Sequence, residues 1–252
     1  MKLLTLARDL RRRKAREKQR LFVAEGVRAV EELLRSPLTV TGALVAPQLG
    51  EAPRGAALQA SLASRGVKVE DVSATEFSSA AETESPQGVI AIAEVPERSL
   101  ASLRGDWSGV VLVLDAVQDP GNVGTILRTA AALGAVATVA LPGTVDLWNA
   151  KVVRSGMGAH FTHLALHGTW SELDAFRKDS GAQLFAADAS GGNVASVSVP
   201  KRVGLIVGNE GAGLSADARS RADQVVALPL SSGVESLNVA VATGILLHTL
   251  TK

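Results

Sequence analysis

Val110-Val111-Leu112-Val113-Leu114, followed by Asp119-Pro120-Gly121-Asn122-Val123-Gly124-Thr125-Ile126-Leu127-Arg128-Thr129-Ala130, reads as a strand, a glycine-bearing turn and a helix. The uninterrupted apolar run predicts a strand covered on both faces, as in a parallel sheet with helices above and below. Glycines let the chain turn sharply, and Asn122 can cap the helix or present its amide outward. The glycine spacing is not that of a dinucleotide fingerprint, and no acidic residue ends the next strand. A generic strand–turn–helix connection accounts for the glycines. It does not call for Arg128, about two turns into a helix that is otherwise Val, Ile, Leu and Ala; taken alone, Arg128 reads as a solvated or salt-bridged helix residue.

The same alternation continues on both sides. Downstream, strands are expected at 135–141, 162–166, 183–187, 203–207 and 224–228. Helices are expected at 123–133, 147–154, 170–180, 215–221 and 236–249. Alternating elements of this kind build a parallel, helix-covered sheet. Upstream, Val27, Val30, Leu33 and Leu34 share a helix face, and short strands are expected at 40–45, 67–72 and 88–95, with a helix at 55–64 and a polar stretch at 73–85. The fold class is therefore α/β, in two parts: a smaller α/β domain at 1–98, a Pro- and Gly-bearing connector at 99–107, and a larger domain at 108–252.

Composition narrows the function classes. The 252 residues are 46% hydrophobic and 20% charged, values of a globular chain. With 3% aromatics and no tyrosine, readout of splayed bases on platforms of several aromatics is not expected. The absence of cysteine removes disulfides, thiolate metal sites and cysteine nucleophiles, and fits the cytoplasm. The longest apolar stretches, 130–141 and 239–250, are too short to span a bilayer, so neither membrane nor metal is expected as a partner. His160, His163 and His167 fall close together without acidic neighbours, a poor metal-ligand pattern. The net charge of +1 is uneven: residues 1–20 carry nine Lys/Arg against Asp9 and Glu17, a balance of +7 that leaves −6 for the rest. Such a segment is either a phosphate-binding arm or a solvated first helix.

Two further segments carry polar residues at strand ends. In Leu205-Ile206-Val207-Gly208-Asn209-Glu210-Gly211-Ala212-Gly213-Leu214, a buried strand runs into a glycine-rich loop. Ligands of open α/β sheets bind at such strand ends. Gly208 would allow close backbone approach to a cofactor, and Glu210 would pair with an arginine or cap the next helix. In Leu228-Pro229-Leu230-Ser231-Ser232-Gly233-Val234-Glu235-Ser236-Leu237-Asn238-Val239-Ala240, Ser236 is the expected N-cap of the last helix, with Asn238 in its first turn.

In this order the three segments closely resemble the three motifs of the SpoU (TrmH-like) family of RNA 2′-O-ribose methyltransferases, in the SPOUT superfamily. The resemblance covers roughly 108–250 and includes the stretch from Asp146 to Ala159, departing from it where Gly156 replaces a common serine and Leu230 a common methionine. It implies a sheet with a deep trefoil knot in its C-terminal part and S-adenosyl-L-methionine as cofactor. The cofactor would be bound around Ala187, Gly208, Asn209, Gly213, Leu228, Leu230, Ser236 and Leu237. It further implies Arg128 acting at the 2′-hydroxyl, with Asn122, Glu210, Ser236 and Asn238 arranging it and the ribose, and a homodimer through the knot region that brings motif-one residues to the partner's cofactor. Leu21–Arg28 and Ser85–Val89 resemble the substrate-binding domain often fused to this catalytic domain, which leans the substrate toward ribosomal rather than transfer RNA. The expected RNA contacts are Arg11, Arg12, Arg13, Lys14, Arg16, Arg28 and Arg154. Two readings stand beside this one: a non-catalytic RNA-binding assembly factor on the same fold, and an unrelated nucleotide-binding oxidoreductase, whose phosphate loop the sequence lacks.

Overall fold

The computed structural model describes residues 2–103 and 105–252; Met1 of the expected first domain and Arg104 of the expected connector lie outside them. The chain packs as two compact units, Met1–Glu97 with Trp148–Thr162, and Arg98–Leu147 with His163–Lys252. The expected division was linear in sequence, whereas packing groups the insert 148–162 with the first unit and the connector from Arg98 onward with the second.

The first unit opens with two short helices, α1 (Leu3–Asp9) and α2 (Arg13–Gln19), then β1 (Leu21–Glu25), α3 (Val27–Arg35), β2 (Val40–Val45), α4 (Pro53–Ser64), β3 (Val69–Asp71), α5 (Ala74–Ala80) and β4 (Val89–Glu94). Its sheet runs β1-β4-β2-β3, antiparallel except for β2–β3. The basic N-terminal segment is part of this fold and not a free arm. Leu3, Leu4, Leu6, Ala7 and Leu10 are buried in one core with Phe77, Ile90 and Ile92. Burying a side chain of that size contributes about 2 kcal/mol, more than enough to hold a charged helix on the sheet. The buried guanidinium of Arg16 donates to Leu10 O at 2.7 Å and Arg11 O at 2.9 Å, closing the turn between α1 and α2.

Two elements differ from expectation. Leu21–Glu25 pairs along its length with Ile90–Glu94 as a strand. The polar stretch at 73–85 contains α5, whose start is a capping box between Ser73 and Glu76.

The second unit carries β5 (Gly109–Leu114), α6 (Pro120–Ala132) and β6 (Ala137–Ala140). The insert follows, with α7 (Ala150–Ser155) and α8 (Ala159–Thr162), which belong to the first unit. Then come β7 (Ala165–His167), α9 (Trp170–Ser180), β8 (Gln183–Asn193), β9 (Arg202–Val207), α10 (Ala216–Arg221), β10 (Gln224–Ala227) and α11 (Val239–Leu250). The strand expected at 162–166 starts later, because Met157 and Gly158 take positive φ and restart the chain as α8. Within the insert, a Cβ on Gly156 would sit 2.6 Å from the His160 ring, which explains the missing serine there.

All strand pairs of the second sheet are parallel, in the order β10-β8-β9-β5-β6-β7. Val110–Leu114 are buried to 1% exposure or less, as the apolar run predicted. The connector is packed: Leu100, Leu103 and Trp107 join the core of this unit, with Trp107 stacked on Phe176 at 5.6 Å. No helix among the described residues is long and apolar enough to cross a membrane.

Candidate active site

At the end of β9 the chain enters a loop that closes on itself. Asn209 and Gly213 exchange backbone hydrogen bonds of 2.9 and 3.0 Å, and Asn209 Oδ1 accepts from the amides of Gly211 and Ala212. Asn209 Nδ2 donates to Ala116 O at 2.8 Å, tying this loop to the segment after β5. A Cβ on Gly208 would lie 2.4 Å from Gly213 C and O. The loop's own backbone therefore demands a glycine here.

Among the described residues the carboxylate of Glu210 pairs with no arginine, and the next helix is capped by Ser215 instead. It accepts from Gln118 N at 3.2 Å, Asp119 N at 3.1 Å and Asn122 Nδ2 at 3.0 Å. Asp119 caps α6, which leaves the Asn122 amide free to turn outward. Asn122 Oδ1 in turn accepts from Asn238 Nδ2 at 3.0 Å. Asn238, not Ser236, is the N-cap of α11, its Oδ1 accepting from Ala240 N and Val241 N. The extended backbone at Asn238 (φ −51°, ψ 135°) makes it the last residue before the helix; Ser236 lies two residues earlier in an exposed irregular segment. One chain of side-chain hydrogen bonds thus links all three sequence segments: Glu210, Asn122 and Asn238. Partial burial works against the Glu210 anion, but the donors from Asn122, Gln118 and Asp119 outweigh it and hold the carboxyl below its ordinary range.

These residues border a cleft of about 570 Å³, a size suited to a nucleoside-like ligand. Ala187, Gly208, Asn209, Gly213, Leu228, Leu230, Ser236 and Leu237 line it, as do Asn122, Glu210 and Asn238. Its walls are apolar at Val207, Val226, Ala227 and Leu246. Three carboxylates, Asp188, Glu210 and Glu235, face it, and no Lys, Arg or His lines it among the described residues. Such a cleft favours a cation and disfavours a diphosphate. Asp188 follows Ala187, which the resemblance sets at the cofactor, but its carboxylate was not singled out; Ala187–Gly191 leave the β8–β10 ladder, since Ala186 pairs with Val225 and the next β10 residue, Val226, pairs with Gly192.

Arg128 is not in the cleft. It is exposed on α6, six residues beyond Asn122, and its guanidinium makes no hydrogen bond or ion pair with another described residue. In the first unit, Arg11, Arg12, Arg13, Lys14 and Arg28 are exposed, with Arg12 paired to Asp9 and Arg13 to Glu17. Arg16 is buried at 4% exposure, so its guanidinium braces a turn and offers nothing to a phosphate. Arg154, on α7, is half-buried. His160 and His163 are core residues. His163 Nε2 lies 2.8 Å from Thr138 Oγ1, and burial, then the nearby Arg98 charge, lowers its pKa to about 4. Among the described residues no group of three or more His, Asp or Glu could hold a metal ion.

The model of the SpoU rRNA Methylase family matches residues 109–248, and that of the MRM3-like substrate binding domain matches residues 5–91. The 23S rRNA (guanosine(2553)-2′-O)-methyltransferase RlmP of Bacillus subtilis is 37% identical over 245 residues, 96% of this chain and 93% of the relative. An AdoMet-bound rRNA methyltransferase from Sinorhizobium meliloti has a TM-score of 0.85 at 29% identity, over 98% of this chain and 93% of that one. The SpoU methyltransferase AviRb from Streptomyces viridochromogenes, in complex with AdoMet, has a TM-score of 0.87 at 26% identity, over 100% of this chain and 97% of that one. On a family match that spans most of the second unit and a relative aligned along nearly the whole length, the chain belongs to the SpoU rRNA methylase family.

Proposed function

We propose that this protein transfers a methyl group from S-adenosyl-L-methionine to a ribose 2′-hydroxyl of ribosomal RNA. The observation that carries the reading is the cleft between the excursion in β8 and the ends of β9 and β10, apolar in its walls and lined by carboxylates, with no Lys, Arg or His among the described residues that line it. Those walls suit a nucleoside, and the carboxylates suit a ligand bearing a sulfonium and an ammonium. The bound cofactor supplies an activated methyl group, so the protein's work is positioning and removal of one proton. Asn122, Glu210 and Asn238 hold the starts of α6 and α11 at the cleft in fixed register. Ser236 is part of the same lining.

Arg128 is the residue assigned to the 2′-hydroxyl. A guanidinium is effectively never neutral in a protein, so it acts by holding a phosphate or the developing alkoxide, and not as a simple base. Its position outside its own chain's cleft supports a homodimer in which it reaches the cleft of a second subunit. The exposed apolar side chains of Val241 and Ile245 on α11, which packs on α6 with Gly244 against Thr129, support the same arrangement. The fold includes a trefoil knot through the segment after β9, a reading supported by the resemblance of all three segments and by the close passage of Gly191 against Val225 and Val226. RNA is held by the first unit through Arg11, Arg12, Arg13, Lys14 and Arg28, supported by the substrate-binding family match.

Transfer of labelled methyl from S-adenosyl-L-methionine to total RNA, separated into ribosomal and transfer fractions, tests the reading. Label in the ribosomal fraction, lost in Arg128→Ala, is the expected result. RNA binding without any label would favour the assembly-factor reading instead.

A further inference from the structure

Ala187, Asp188 and Ala189 of the excursion Ala187–Gly191 form one wall of the cleft, and the loop from Gly208 to Gly213 forms another. An ion pair ties the excursion to the helix that follows this loop. Asp188 Oδ2 accepts from Arg219 Nη2 at 2.7 Å, and Arg219 stands on α10, the helix that directly follows the 208–213 loop. The other oxygen, Asp188 Oδ1, accepts from Ser190 N at 3.0 Å and Ser190 Oγ at 2.6 Å, so the same carboxylate also folds the excursion on itself. Gly191 pins the far end: a Cβ there would lie 2.7 Å from the backbone of Val225 and Val226, so no larger residue lets the chain rejoin β10 at this point. Asp188 faces the cleft with a side chain 19% exposed, whereas Arg219 is 48% exposed and does not line it.

We propose that the Asp188–Arg219 pair is a clasp that sets the width of the cofactor cleft. Both residues then act as positioning residues for cofactor affinity without contact with the reacting atoms. The inference rests on the cleft being the S-adenosyl-L-methionine site. The ladder fixes the excursion at both ends, where Ala186 pairs with Val225 and Gly192 with Val226, so only its middle is left to vary, and the Asp188–Arg219 pair holds that middle. Losing the pair frees the wall that a bound nucleoside must press against, and each binding event must then order it again.

The clasp differs from a direct electrostatic role of Asp188 in what it predicts for Arg219. If Asp188 served only as a negative charge facing a cation, removing Arg219 would strengthen or leave unchanged the binding of a ligand. If the pair is a clasp, removing either partner weakens binding. The probe is S-adenosylhomocysteine, which lacks the sulfonium charge, titrated calorimetrically into the full chain. Asp188→Asn and Arg219→Gln are each expected to weaken binding about fivefold, the upper end for a partly exposed ion pair. The double variant is expected to be no weaker than either single one, and Arg219→Lys to recover most of the affinity. In methyl transfer to total RNA, the two single variants raise KM for the cofactor and move kcat by less than about twofold, as loss of uniform binding requires. Wild-type affinity in Arg219→Gln, or an Arg219→Lys variant as weak as Arg219→Gln, overturns the clasp while leaving the site assignment intact. Failure of the wild-type chain to bind S-adenosylhomocysteine overturns the site assignment and the clasp with it.

Discussion

Replacing Asn122 by Asp changes one atom of consequence and tests whether the three segments are tied together as described. Asn122 Nδ2 donates to Glu210 at 3.0 Å; in Asn122→Asp two carboxylates face each other at that separation. Two unit charges so placed repel by about 1.4 kcal/mol in water and by about 5.5 kcal/mol at an effective dielectric constant of ~20. Glu210 is exposed, so the value lies toward the lower figure, with about 1 kcal/mol more for the lost hydrogen bond. The sum is a destabilisation of about 2–3 kcal/mol near pH ~8.

The sign of its pH dependence follows. In the native protein the pKa of Glu210 is lowered, so its contribution is present above the ordinary carboxylate range and lost as pH falls through the lowered value. In the variant the paired carboxylates raise each other's pKa, and a shared proton relieves the repulsion as pH falls. The stability gap between wild type and variant therefore narrows from pH ~8 to pH ~5. Urea unfolding at both pH values measures it. Asn122→Ala, which removes the hydrogen bonds without adding charge, should cost about 1 kcal/mol with little pH dependence. A gap for Asn122→Asp below about 0.5 kcal/mol, or equal at both pH values, would refute the reasoning.

Gly208→Ala places a Cβ 2.4 Å from the backbone of Gly213; it should cost about 3 kcal/mol or more by urea unfolding and abolish S-adenosylhomocysteine binding, and a variant as stable as wild type would contradict the loop's closure. His163, with a pKa of about 4 against 6.5 for the free side chain, stays neutral in the fold while the unfolded chain takes a proton. Stability should therefore fall by up to about 3 kcal/mol as pH drops from ~6.5 to ~4, and His163→Gln should remove that part of the pH profile. Arg11→Glu with Lys14→Glu leaves the buried Leu3–Leu10 face intact, and should weaken RNA binding and lower its salt slope by about 2; an unchanged slope would make this face a solvated surface only.

Much of the second unit could be read directly, since the apolar runs at 110–114 and 203–207 are strands that only a doubly covered sheet explains. The first unit was harder. Leu21–Glu25 carries the same apolar character but directly follows a run of cations, and only its pairing with β4 identifies it as a strand. The helix at Ala74–Ala80 was legible in Ser73 and Glu76, a capping-box spacing obscured by the polar composition around it.

In the site, residue types pointed to the right loops, but their partners did not follow from local sequence. Capping preference favours Ser236 as readily as Asn238, and the choice depends on where the irregular segment 231–238 ends. The Glu210–Asn122 bond joins residues 88 apart, a contact that no local spacing encodes. The turn after Ala187 was placed at the cofactor, but the carboxylate of Asp188 was not, because its position depends on a register jump in the ladder of β8 and β10. The basic run at 1–20 read as an arm because its charges dominate the count, while the leucines between them decide that it folds.

Alkaline hydrolysis of RNA methylated by the protein with labelled S-adenosyl-L-methionine tests the central claim most directly, because hydrolysis proceeds through a free 2′-hydroxyl. The label is expected in alkali-resistant dinucleotides from ribosomal RNA, and Arg128→Ala is expected to remove it. Label recovered only in mononucleotides, which would place the methyl group on a base, would contradict it.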